Sequence, residues 1–175
     1  MDEPVEDDLL AVLGRERHAL GHLLFRLLEA RGLLATGETR FLHLAARDVE
    51  AAAEAVREVE LTRALLEPRA EGQTLRKLVE SAPSPLDGIL HDHHMAISRL
   101  AAEVGAAIEA TAELAEHGLA SVRGTHLTLV GPPPRAIRPV APADELDREI
   151  MAAGYESVLT ASSRLMLPSL VAFLG

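Results

Sequence analysis

An apolar residue recurs every three or four positions through two neighbouring stretches of this chain, 10–34 and 41–66, and this spacing constrains the fold most. A mean period of about 3.5 residues places one continuous seam along a helix, as in coiled coils and narrow bundles. The two stretches therefore predict two long helices that pair side by side. The predicted seam positions are Leu10, Leu13, Arg17, Leu20, Leu24, Leu27, Arg31 and Leu34 in the first helix, and Leu42, Ala45, Val49, Ala52, Val56, Val59, Arg63 and Leu66 in the second.

The joint between the two stretches is short, and it reads Ala35-Thr36-Gly37-Glu38. We predict that Thr36 caps the start of the second helix and that Gly37 loosens the backbone there. So few residues force the two helices to run antiparallel, which makes a long helical hairpin.

A third long helix is predicted from about Pro85 to His117, with Gly118 at its end. Its apolar positions repeat with the helical period, and a short helix at about 74–80 precedes it. The expected fold class is all-α: a long antiparallel hairpin and a third long helix form a three-helix bundle or coiled coil over residues 1–118. The periodic positions of the third helix are Leu86, Leu90, His93, Ile97, Leu100, Val104, Ala107, Thr111 and Leu114.

Residues 119–144 are rich in glycine and proline and predict a linker, in which 125–130 forms at most a short strand without a visible partner. Residues 145–175 predict an amphipathic helical segment at the C-terminal side of this linker, which Pro168 bends or restarts. This tail either completes the core as a fourth helix or binds a partner helix. For the second alternative the candidate binding residues are Leu146, Ile150, Tyr155, Val158, Leu159, Met166, Leu170, Val171, Phe173 and Leu174.

Charge and composition exclude several classes of function. A formal net charge of −10 disfavours nucleic acid as a partner. Aromatic residues make up 2% of the chain and cysteine is absent, so we expect no thiolate metal site and no cysteine nucleophile. The chain carries no catalytic or phosphate-binding motif and no apolar run of about 18 residues that could span a bilayer. We therefore expect a cytoplasmic protein that is not an enzyme and has no cofactor.

Two clusters of charged or ionisable residues leave alternatives open. The histidines of the third helix, His91 and His94 above all, have a spacing that can hold zinc or nickel, but surface histidines with a half-buried His93 are the ordinary interpretation, and we predict no metal site. The seam arginines (Arg17, Arg31 and Arg63) either pack their stems while the guanidinium groups reach solvent or a carboxylate, or form polar layers that soften the bundle.

Three sequence runs of the hairpin resemble those of a known protein family. The runs Leu13-Gly14-Arg15-Glu16-Arg17, Leu33-Leu34-Ala35-Thr36-Gly37 and Leu44-Ala45-Ala46-Arg47-Asp48-Val49-Glu50 are similar to those of the FlgN type of flagellar export chaperone. The likeness covers roughly residues 8–118, and the closing run 166–174 resembles the tails of some members. The linker and the histidine cluster have no counterpart in the family pattern.

The resemblance implies a small, acidic, helical chaperone of the cytoplasm. Such proteins bind the C-terminal helical region of hook-associated (hook–filament junction) proteins, prevent their premature polymerisation and deliver them to the flagellar type III export apparatus. The partner-binding region of the family lies toward its C-terminus, which corresponds here to 146–174. We expect a monomer or weak homodimer. The alternatives are a structural coiled-coil adaptor without a secretion client and a histidine-based metal-binding bundle.

Overall fold

The computed structural model describes residues 3–66, 74–124, 145–165 and 168–175. Within these ranges every regular element is a helix, which confirms the predicted all-α class. The elements are α1 (Glu3–Thr36), a 3₁₀ turn (Thr39–Phe41), α2 (Leu42–Leu66), α3 (Leu75–Ser81), α4 (Leu86–Val122), α5 (Glu145–Ser163) and α6 (Pro168–Leu174). The possible strand at 125–130 and most of the predicted linker lie outside the described residues.

The buried stripe of α1 differs from the predicted seam at every second position. Leu13, Leu20, Leu27 and Leu34 are buried as predicted, but Arg17 and Arg31 are exposed. Between these leucines the buried residues are Glu16, Leu23 and Ala30, each one position before the predicted seam residue. Both patterns alternate steps of three and four, so periodicity alone does not separate them; the buried pairing of Glu16 with Arg63 of α2 favours the observed pattern. The stripe consists of Leu13, Glu16, Leu20, Leu23, Leu27, Ala30 and Leu34.

The helical joint is closed by a Schellman motif at Gly37. This glycine has φ +72°, a left-handed conformation that suits glycine. The Gly37 N–H donates to Leu34 O at 3.3 Å, and the Glu38 N–H donates to Leu33 O at 3.0 Å. The prediction that Thr36 caps the second helix is wrong, because Thr36 is the last residue of α1 and its hydroxyl donates back to Gly32 O at 3.0 Å.

The third long helix continues past its predicted end. Gly118 was expected to stop it, but α4 runs to Val122, and a left-handed glycine, Gly124, follows. Residues 119–122, which were predicted to belong to the linker, are therefore helical. The prediction that Pro168 restarts the helix is confirmed, because α5 ends at Ser163 and a new helix, α6, begins at Pro168.

Contacts divide the chain into two compact units that differ from the predicted division at 118 and 145. The first unit comprises Met1–Leu24, Ala52–Gly105 and Met166–Gly175, so α3 and α6 belong to it. Its buried apolar residues are Val12, Leu13, Ala19, Leu20, Leu23, Ala52, Ala53, Val56, Leu75, Leu86, Leu90, Ile97, Val104, Leu170, Phe173 and Leu174.

The second unit comprises Phe25–Ala51 and Ala106–Leu165, and it contains the hairpin joint and all of α5. Alanine supplies much of its core, so its helix backbones can approach closely. Its buried residues include Leu27, Ala30, Leu34, Leu42, Ala46, Val49, Ala107, Ala115, Val122, Met151, Tyr155, Val158, Ala161 and Leu165.

Candidate functional site

The short helix α6 is docked in the first unit, where it packs with α3. Leu170, Phe173 and Leu174 are buried, whereas Val171 is 65% exposed. Positions i, i+3 and i+4 of a helix share one face, so the three buried side chains form a single apolar face. A helix of seven residues is not stable alone in water. The helical state of α6 therefore depends on this docking.

A buried ion pair lies against the docked helix. Arg63 of α2 is 3% exposed, Glu16 of α1 is 0% exposed, and Arg63 Nε lies 3.3 Å from Glu16 Oε1. The Arg63 guanidinium also stands 3.7 Å from the centroid of the Phe173 ring. A cation over an aromatic face contributes up to about 2 kcal/mol when both groups are desolvated. The pair thus provides a polar anchor for α6 as well as a link between α1 and α2.

The end of α6 makes a second polar contact. His94 Nε2 lies 3.3 Å from the carbonyl oxygen of Leu174, so this ring nitrogen donates when it carries the proton. Such a donor satisfies one of the carbonyl groups that the last turn of a helix leaves unpaired. Gly175 follows with φ +79°, and a Cβ built on it would lie 3.0 Å from Thr74 Cβ. Thr74 is the N-cap of α3, where its hydroxyl accepts from the Lys77 N–H at 3.3 Å.

The neighbouring histidine of α4 has an altered protonation equilibrium. Burial lowers the pKa of His93, and the positive charge of Arg17 lowers it further, against the opposing effect of Asp92. Its Nδ1 is buried and has no hydrogen-bond partner among the described residues. Burial and the Arg17 charge therefore both favour the neutral form of His93.

The second unit contains α5 and its tyrosine. Tyr155 is fully buried, and its ring occupies space that any side chain at Gly118 would need, since a Cβ there would lie 2.1 Å from Tyr155 Cε1. Gly154 of α5 has more room than Gly118, since a Cβ built on it would lie 3.2 Å from Leu42 Cβ. Burial raises the pKa of the Tyr155 hydroxyl. Gly118 thus serves as a notch one turn before the end of α4 and does not itself end the helix.

The ten predicted binding residues are distributed over both units. In α5, Leu146 and Ile150 are exposed, Leu159 is half-buried, and Tyr155 and Val158 are buried. In α6, Val171 is exposed, whereas the other three described residues are buried, and Met166 lies outside the described residues. The predicted residues of α6 come together in one unit and those of α5 in the other. In the docked state five of them face the interior: Tyr155, Val158, Leu170, Phe173 and Leu174.

A groove on the hairpin of the second unit was not anticipated from the sequence. It encloses about 530 Å³, and every residue that lines it belongs to α1, the 3₁₀ turn or α2. The available signal was apolar residues outside the predicted seams, such as Phe41 and Leu44, each of which is 46% exposed. The lining residues are Arg26, Glu29, Gly32, Leu33, Thr36, Phe41, Leu44, Ala45 and Asp48.

The described part of the chain contains neither a metal-binding cluster nor a membrane-spanning helix. Among those residues, no three histidine, aspartate or glutamate side chains come together in a group that can hold a metal ion. None of the described helices combines the length and the apolar composition that crossing a bilayer requires.

No protein-family model, curated protein or solved structure matches this chain.

Proposed function

We propose that this protein is a cytoplasmic export chaperone of the FlgN type, which binds the C-terminal helical region of hook-associated flagellar proteins and prevents their premature polymerisation. The proposal starts from the resemblance of the hairpin and third helix to that family. The observation that supports it most is the state of α6. This helix carries three of its four expected binding residues, Leu170, Phe173 and Leu174, on one apolar face, and it is short enough to leave its dock as a unit.

In this proposal, α6 exchanges one apolar partner for another. Without a client, Leu170, Phe173 and Leu174 are covered by the first unit, which keeps the free chaperone from aggregating. A client's amphipathic helix then offers an alternative apolar surface, worth roughly 25 cal/mol per Å² of apolar area buried. Part of this gain offsets the loss of the original docking contacts and the cost of ordering the tail. The client helix is thereby masked and cannot assemble.

A disulfide between α6 and α3 tests whether the tail must detach. The chain has no cysteine, so thiols introduced at Thr74 and Gly175 would be its only two. The Cβ positions at these sites lie 3.0 Å apart, close to the roughly 3.5–4.5 Å of a disulfide, and a small backbone adjustment closes the difference. We expect the Thr74→Cys, Gly175→Cys variant to bind the C-terminal segment of a hook-associated protein when reduced. Oxidation should weaken that binding at least tenfold, as measured by calorimetric titration.

Each single cysteine variant is the control, because Thr74→Cys alone removes the α3 cap and Gly175→Cys alone changes a left-handed position. Neither should respond to oxidant. If the reduced double variant and the wild type both fail to bind the segment, the chaperone proposal is wrong; a concentration-dependent oligomer without a client would then favour the adaptor. Binding that is equally tight in the oxidised and reduced forms would keep the chaperone but remove α6 from its binding site.

A further inference from the structure

The groove on the hairpin carries a second inference, which is independent of the tail and of the export function. Its lining runs along α1 from Arg26 to Thr36, which is about 15 Å at 1.5 Å per residue, or nearly three helical turns. Its other wall is the 3₁₀ turn and the start of α2, up to Asp48. An elongated groove of this length between two helices matches the dimensions of a third helix laid along it.

The lining combines small residues with apolar anchors. Gly32 is exposed in the middle of α1, and a Cβ built on it would have no atom within 4 Å. Ala45 of α2 is a second small residue in the lining. Small residues let a foreign backbone approach closely, while Leu33, Phe41 and Leu44 supply apolar contact area. The hydroxyl of Thr36 is already bonded to the backbone of α1, so it adds no unmet polar group to the groove.

The apolar surface extends past the lining on the α1 side. Phe25 is 53% exposed and Leu28 is 46% exposed. They precede Gly32 by seven and four residues, so all three lie on the same side of α1. Phe25 and Leu28 thus add apolar surface on which an incoming amphipathic helix can place its own i, i+3 and i+7 anchors.

The size of this surface favours one helix over a whole second copy of the chain. A complete phenylalanine side chain buries roughly 150–250 Å². Four half-exposed side chains (Phe25, Leu28, Phe41 and Leu44) therefore offer on the order of a few hundred Å². A stable dimer needs roughly 800 Å² from each partner.

The charges at the groove define the chemistry of its occupant. Among its lining residues two carboxylates, Glu29 and Asp48, face one guanidinium group, Arg26. Arg26 Nη1 is 2.7 Å from Glu29 Oε2 and 3.6 Å from Asp48 Oδ2, so it bridges α1 and α2. The two carboxylates and the one guanidinium together give this part of the groove a net charge of −1. Positive side chains beside the apolar stripe of an incoming helix would complement it.

We propose that the groove is a docking site for an amphipathic helix of a partner protein, with an apolar stripe that packs on Leu33, Phe41 and Leu44 and with lysine or arginine beside it to meet Glu29 and Asp48. Every residue that lines this site belongs to the second unit, whereas α6 belongs to the first.

The probe is a fluorescent 18-residue helical peptide with leucine at i, i+3, i+4 and i+7 positions and lysine on its flanks, titrated into the full chain. Gly32→Arg fills the groove, and Gly14→Arg is the matched control. Both glycines are exposed interior positions of α1 with open space around them, so the two variants change charge and helix propensity alike. We expect Gly32→Arg to weaken peptide binding at least tenfold and Gly14→Arg to change it less than twofold.

A second peptide, with glutamate in place of lysine, should bind at least fivefold more weakly than the first. Equal effects of Gly32→Arg and Gly14→Arg would overturn the proposal, since they would mean that the peptide binds by general charge attraction. Absence of any binding to the wild type would also overturn it. A dimer in sedimentation equilibrium that only Gly32→Arg dissociates would reassign the groove to a second copy of this chain. None of these outcomes depends on hook-associated proteins, so they are distinguishable from the test of the chaperone.

Discussion

The two units of this protein bury their terminal helices by different means. In the first unit, the seven residues of α6 rest on a buried ion pair, with Phe173 over the Arg63 guanidinium. In the second unit, the 19 residues of α5 are fixed by shape, because the Tyr155 ring fills the notch at Gly118. A polar anchor remains partly satisfied when its aromatic partner leaves, since the arginine still has its carboxylate. A ring withdrawn from a glycine notch leaves an empty space instead.

This contrast suggests a division of roles. Removal of α6 from the first unit exposes a few apolar side chains but leaves Glu16 and Arg63 paired with each other. Removal of α5 from the second unit would open a core of which Tyr155 is the largest member. In the proposed function, α6 is therefore the helix expected to detach, and α5 is expected to remain part of the folded unit. The following predictions test this difference, from the largest effect to the smallest.

The largest effect is expected from breaking the buried ion pair. Glu16→Ala removes the carboxylate that lies 3.3 Å from the buried Arg63 Nε, and removing one member of a buried pair costs up to roughly 3–5 kcal/mol. We expect a loss of this size in the free energy of unfolding, measured by chemical denaturation. The control is Glu54→Ala, which removes the exposed partner of Arg57 on α2 and should cost less than about 0.5 kcal/mol.

A double substitution can replace both members of the Glu16–Arg63 pair with apolar residues. Glu16→Leu with Arg63→Met fills similar volume without charge, so the double variant should recover most of the stability that either single change loses. It also removes the cation beneath Phe173, and amide exchange at 170–174 should become faster relative to α5. Equal costs for Glu16→Ala and Glu54→Ala would contradict the view that this pair anchors the first unit.

A smaller effect is expected at the glycine notch of the second unit. Gly118→Ala would place a Cβ 2.1 Å from the Tyr155 ring, and overpacking of this kind costs roughly 1–3 kcal/mol. Gly105→Ala on the same helix adds a Cβ in open space and should raise stability by roughly 0.5–1 kcal/mol. Thermal unfolding measures both. Changes of the same sign at the two glycines would mean that Tyr155 does not depend on the notch.

Much of the fold followed from periodicity, but the buried positions of α1 between its repeating leucines did not. Leu13, Leu20, Leu27 and Leu34 were predicted correctly because they are spaced by seven residues. This spacing is the same whether the buried residue between two of them comes three or four positions after the first. The choice of Glu16 over Arg17 depends on a partner 47 residues away, Arg63, which local spacing does not contain. Long-range pairing of this kind decides what the pattern leaves open.

The candidate sites were predictable to a different degree. The apolar character of Leu170, Phe173 and Leu174 was visible in the sequence, whereas their burial against α3 and Arg63 was not. Gly118 was interpreted as a helix end because glycine most often ends helices, while its actual role is to admit a ring from α5. The groove was missed because its lining mixes residues from two helices that only the hairpin brings together.

The smallest expected effect distinguishes the two units by pH. The pKa of His93 is lowered by burial and by Arg17, so between its ordinary value of about 6.5 and the lowered value the unfolded chain binds a proton that the folded chain does not. The stability that neutral His93 contributes is complete above about pH 6.5 and is lost as the pH falls through the lowered pKa.

His93→Gln should therefore flatten the decline in unfolding free energy between about pH 7 and pH 5. His91→Gln, at an exposed position of the same helix, should leave that decline nearly unchanged. Amide exchange then locates the effect: acid should loosen residues 170–174 before it loosens α5, because His93 and α6 belong to the first unit. Simultaneous loosening of both helices would mean that the polar and the steric anchors are not independent.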